Sequence, residues 1–65
     1  MPSTVIRTFT YDPETRTLQV TFVSGRRYRY HEVPAETYAA MKAAFAKGEF
    51  FNKAVRARFR HTAED

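Results

Sequence analysis

The stretch TLQVTFVSGRRYRYHEV, residues 17 to 33, decides the fold. Its first half alternates without a fault. Leu18, Val20 and Phe22 point one way, and Thr17, Gln19 and Thr21 point the other, the period-two pattern of a strand with one buried face. Ser24 and Gly25 make a short loop in which the glycine is free to take a positive φ. Alternation then resumes, with Tyr28 and Tyr30 on one face and Arg27, Arg29 and His31 on the other. Two alternating runs joined by so short a loop read as a β-hairpin.

Upstream, VIRTFTY (5–11) is rich in β-branched and aromatic residues, as a strand should be. DPETRT (12–17) links it to the next run. Pro13 presets the backbone for a turn, and Asp12 can accept from the amides just after it. The expectation is an antiparallel meander of three strands at 5–11, 17–23 and 26–33.

Downstream the period changes. Pro34 suits a first helical position and Glu36 suits the positive end of a helix dipole. Tyr38, Met41 and Phe45 then recur at helical spacing, and Lys47 followed by Gly48 reads as a helix end, giving a helix over 35–47. Phe51, Val55 and Phe59 repeat the spacing and give a second helix over 49–59. Asn52 reads as a cap of that helix, if the helix begins later than drawn. The class is therefore α+β: a three-stranded antiparallel sheet covered on one face by two short helices. The 65 residues make one domain, with residues 1–4 and 61–65 expected to be frayed tails.

A sheet with helices on one side has one buried face. Leu18, Val20 and Phe22 must lie on it, and Val5, Phe9 and Tyr11 have the matching spacing, with Arg7 as the exception. The economical arrangement puts Tyr28 and Tyr30 under the helices too. Arg27, Arg29 and His31 then join Gln19, Thr21 and either Thr8 or Thr10 on a flat, polar, basic outer face. The competing arrangement exposes the tyrosines as a stacking platform for RNA bases.

Composition narrows the chemistry. Without cysteine the chain has no disulfide and no thiolate metal site, and two scattered histidines do not make a zinc site, so no metal and no cofactor is expected. The longest apolar run is too short to span a membrane, and no leader pattern is visible, so a cytoplasmic location is expected. Eleven cations against seven acids give a net charge of +4. Eight of the cations are arginine, the residue suited to bidentate phosphate recognition. They cluster twice, at Arg27 and Arg29 and again at Lys53, Arg56, Arg58 and Arg60. On a helix Lys53, Arg56 and Arg60 would form one row, which either a helix C-terminal dipole or a bound anion would offset.

Three segments together, YDPETRTLQVTF, YRYHEVP and FFNKAVRARF, resemble the KTSC domain along almost the whole chain. That is a short module named for the C-terminal region of some lysyl-tRNA synthetases and also found as a small stand-alone bacterial protein. Tyr28 and Tyr30 match its Tyr-x-Tyr, Val33 and Pro34 its Val-Pro, and Phe51, Asn52 and Lys53 its Phe-Asn-Lys. The resemblance implies no established activity; RNA binding is what it suggests, through the synthetase association. These motif residues could equally serve the fold.

Three functions follow as expectations. The first is a non-catalytic module that binds RNA phosphates through Arg27, Arg29, His31, Lys53, Arg56, Arg58 and Arg60. The second is a protein-interaction module that uses an open sheet edge. The third, the least supported, is a metal-independent ribonuclease using His31 or His61. Nothing in the sequence brings those two histidines together, so no catalytic residue is assigned.

Overall fold

Three strands form the expected meander: β1 (Ile6–Asp12), β2 (Thr17–Phe22) and β3 (Arg27–Tyr30). They are followed by α1 (Ala35–Ala43), by α2 (Lys47–Phe50), which runs straight on into a π-helical segment (Phe51–Arg56), and by a fourth strand, β4 (His61–Ala63). The structure, a computed structural model, describes residues 6–64. The sheet order is β1-β2-β3-β4, antiparallel throughout. Val5, residues 1–4 and Asp65 lie outside the described residues.

Local chemistry sets the connections. The Glu14 amide donates to Asp12 Oδ1 at 3.0 Å, the Asx turn expected of Asp-Pro. Gly25 takes φ +96° in the β2–β3 turn, and the Phe22 amide donates to the Arg26 carbonyl at 2.9 Å. β3 ends at Tyr30, three residues short of the expected limit. Glu32 there takes φ +56°, and the Val33 amide leaves the ladder to reach the Arg16 carbonyl at 2.8 Å.

The core lies between one face of the sheet and the helices. Leu18, Val20, Tyr30, Val33, Met41, Phe51 and Val55 are buried, and Tyr28, Phe9, Tyr11, Tyr38 and Phe59 pack around them. Tyr38 stacks on Tyr11 at 4.8 Å and meets Phe9 edge-on at 5.9 Å. The tyrosines of the third strand therefore serve the core, as the face argument favours. Arg7 is explained by a bulge: Ile6 pairs with Phe22 and Thr8 with Thr21, leaving Arg7 as the extra residue. The bulge resets the alternation, so Ile6 packs on the core and Arg7 stays exposed.

Six expectations are corrected. α1 ends at Ala43 rather than residue 47, because Ala44 turns extended at ψ 138°. Lys47 and Gly48 begin α2 instead of closing α1, although Lys47 Nζ does donate to the Ala44 carbonyl at 2.9 Å. Phe45 is consequently fully exposed rather than core. The chain reverses here so that Phe51 and Val55 reach the sheet, and the burial of those two outweighs that of Phe45.

The second helix runs from Lys47 and stops at Arg56 rather than residue 59. Asn52 lies inside its π-helical part, makes no capping bond and is exposed. Residues 61–63, expected to be a frayed tail, form β4 and raise the strand count from three to four. Tyr30 pairs with His61 and Tyr28 with Ala63, and the Glu64 amide donates to the Arg27 carbonyl at 2.8 Å.

Candidate functional site

The sheet divides the predicted cations. Arg27, Arg29 and His31 lie on the uncovered face beside Thr21 and Gln19, as alternation requires. Arg56 lies on the helix side. The second cluster is therefore divided: the sheet separates Arg56 from Arg27 and Arg29, whereas Arg60 lies beside His31.

The uncovered face is less cationic than its arginines imply. Glu64 takes the Arg29 guanidinium in an ion pair and also accepts from Gln19 Nε2 at 2.6 Å. His31 Nε2 lies 2.8 Å from Thr62 Oγ1. A shallow cavity of about 410 Å³ on this face includes Asp12 along with Arg29 and His31. Arg60, which the second helix does not carry, lines a neighbouring depression beside Glu32 and His31. Carboxylates thus stand among the cations on this side. Arg58 also falls beyond the helix, in the connection to β4.

The helix side is different. A cleft of about 240 Å³ is lined by Phe22, Arg26, Tyr28, Tyr30, Arg56 and His61, with no carboxylate among them. β3 supplies the tyrosines and the π-helical segment supplies Arg56. β4 brings His61 to 5.1 Å from the Tyr28 ring and 5.2 Å from the Tyr30 ring. Burial raises the Tyr30 pKa, the positive charge of Arg56 pulls it back down, and Tyr28 adds a small upward push. The Arg56 charge is thus felt at the Tyr30 side chain.

A second depression of about 310 Å³ adjoins the cleft, lined by Phe22, Val23, Ser24, Phe51, Asn52 and Arg56. Phe22 and Arg56 belong to both. The motif residues therefore line two neighbouring depressions that share Phe22 and Arg56, Tyr28 and Tyr30 in one and Phe51 and Asn52 in the other, although they lie on different elements. Lys53 is exposed on the same helical segment.

Arg26 is missed by the sequence reading, and His61 is offered there only as a catalytic histidine. Arg26 sits in a turn where alternation assigns no face, and His61 follows a segment with no strand pattern of its own. Among the described residues no cluster of His, Cys, Asp and Glu is placed to hold a metal ion, and no helix is long and apolar enough to cross a membrane.

Comparison with known proteins gives a consistent result. The KTSC domain model matches residues 2–59. A protein of Tsukamurella paurometabola is 39% identical over 61 residues, covering 94% of this chain and 91% of its own length. The lysine–tRNA ligase of Nostoc punctiforme is 38% identical over 56 residues, covering 86% of this chain. The chain spans about 10% of that ligase's length. A crystal structure of a KTSC domain protein from Yersinia pestis superposes with a TM-score of 0.92 at 28% identity, covering 100% of this chain and 92% of the other.

Proposed function

We propose that this chain, which belongs to the KTSC domain family, is a small non-catalytic binding module whose partner is RNA, held on the helix side of the sheet. The observation that carries this reading is the cleft at Arg56: Arg56, two tyrosines and a histidine line it together with Arg26, and none of the described residues that line it is a carboxylate. Arginines in such a setting take phosphate oxygens, while Tyr30, 2% exposed, belongs to the core and forms the floor of the cleft rather than a face for a base. The match to a stretch of lysine–tRNA ligases supports an RNA context without naming an RNA. His31 and His61 both line the depression beside Glu32 and Arg60, and His31 Nε2 lies 2.8 Å from Thr62 Oγ1 there.

The test is a titration of the full chain with short single-stranded RNA at several salt concentrations. Three contacted phosphates would give a log–log slope of about −2, at roughly −0.7 per contact. An affinity that does not respond to salt, or no binding at low salt, rejects the reading.

A protein partner is the second reading. The outer edge of β1, seven residues long, has no neighbouring strand among the described residues, and such edges accept strands from other chains.

A further inference from the structure

We infer that the two depressions flanking Arg56 form a single nucleotide seat: phosphate in the cleft by Arg56 and His61, and an adenine base in the adjoining apolar depression, read by Asn52. The inference rests on the RNA reading for its occupant and narrows that reading to one nucleotide unit.

The two depressions are neighbours with different chemistry. The cleft is lined by two arginines and a histidine beside the β3 tyrosines, while the adjoining one is walled mainly by Phe22, Val23 and Phe51. At about 310 Å³ the apolar depression by itself reaches the low end of the roughly 300–1,000 Å³ usual for small-ligand sites, and the cleft adds about 240 Å³ beside it. A nucleotide has the same two-part character, an anion fixed beside a flat, largely apolar ring.

Asn52 supplies the specificity. It is exposed, makes no capping bond, and precedes Arg56 by four residues on the same helical segment. A carboxamide presents a donor and an acceptor side by side, which matches N6 and N7 of adenine. Val23 points the same way. It is 55% exposed, one of two large apolar side chains left open among the described residues, and it stands at the rim of the depression where a base would cover it.

The experiment titrates the isotope-labelled full chain with AMP, UMP, inorganic phosphate and, in parallel, a short RNA, following amide shifts. AMP is expected to move residues 22–24 and 51–56, while phosphate moves only the Arg56 and His61 region. Asn52→Ala should weaken AMP at least fivefold, the low end for loss of a bidentate contact, and leave phosphate unchanged. Arg56→Gln should weaken both. Asn52→Asp, nearly the same shape without the donor pair, repeats the test should the alanine variant unfold.

AMP shifts confined to the phosphate region, or equal binding of AMP and UMP in wild type, would overturn the seat. If RNA still binds with salt dependence in that case, the RNA reading survives alone. If AMP behaves as expected and RNA does not bind, the seat stands and the RNA reading falls.

Discussion

Glu64 reaches across β4 and β3 to the Arg29 guanidinium and, with its other oxygen, to the Gln19 side chain. One carboxylate thus ties the last described residue to the middle of the sheet and removes the charge of an arginine that sequence alone offers as a phosphate ligand.

That ion pair is worth little to stability. The Arg29 side chain is 51% exposed, so solvent screens it, and exposed pairs measure about 0–1 kcal/mol. Glu64→Gln should lower the chemical-denaturation free energy by less than about 1 kcal/mol, and molar salt should erase the difference.

The division of cations by the sheet predicts which arginines matter. Arg56→Gln should reduce the salt slope of RNA binding by nearly one contact, about 0.7 for a single strand. Arg29→Gln on the opposite face should leave that slope unchanged. Equal effects from the two variants would move the interface off the Arg56 cleft.

Tyr30 carries a pH signature. Burial holds its hydroxyl protonated above the ordinary value of 10.0. Above that value the folded chain keeps a proton that the unfolded chain loses, so stability is whole below it and falls as pH rises past it. Tyr30→Phe should lack this part of the alkaline loss and should remove a step of tyrosinate absorbance that lies above the ordinary value. An anion beside Arg56 would cancel the influence that lowers the Tyr30 pKa, so saturating AMP should delay that step further.

The two phenylalanines at positions 45 and 51 should differ sharply. Phe51 is buried against Tyr30 at 5.2 Å and Phe22 at 5.6 Å. Phe51→Ala should cost about 3–5 kcal/mol, most of what a chain of this size possesses at roughly 0.05–0.15 kcal/mol per residue. Phe45→Ala, at a fully exposed position, should stay within about 0.5 kcal/mol of wild type by thermal denaturation.

A lighter change tests the joint between β1 and the start of α1. The Tyr11 hydroxyl donates to the Val33 carbonyl at 2.6 Å. Tyr11→Phe should cost about 1 kcal/mol, since it removes one part-buried hydrogen bond and little else.

The legible parts of the fold are those where periodicity is unbroken. Leu18, Val20 and Tyr30 reveal the buried face because a strand cannot bury alternate residues without exposing the others. Arg7 hides the bulge, since an inserted residue leaves no mark in composition. Phe45 sits at helical spacing from Tyr38 and Met41, and only the competition with Phe51 and Val55 for the sheet decides against it. His61–Ala63 has too few residues to show a period, and it becomes a strand only because β3 offers an open edge. The site follows the same rule. Arg56 is visible as a cation, whereas its partnership with His61 and Asn52 depends on contacts between elements far apart in sequence.

The pairing of β4 with β3 orders the folding reaction. β1, β2 and β3 join through short turns, whereas Tyr30 must find His61 across the whole helical segment. Closing a loop of about thirty residues costs more chain entropy than closing a hairpin of four or five. The hairpins should therefore form early and β4 should dock late, so the wall of the cleft that holds His61 is the last to be built. In hydrogen exchange β4 should also open first, which gives the groove a door on its His61 side while β1 and β2 remain intact.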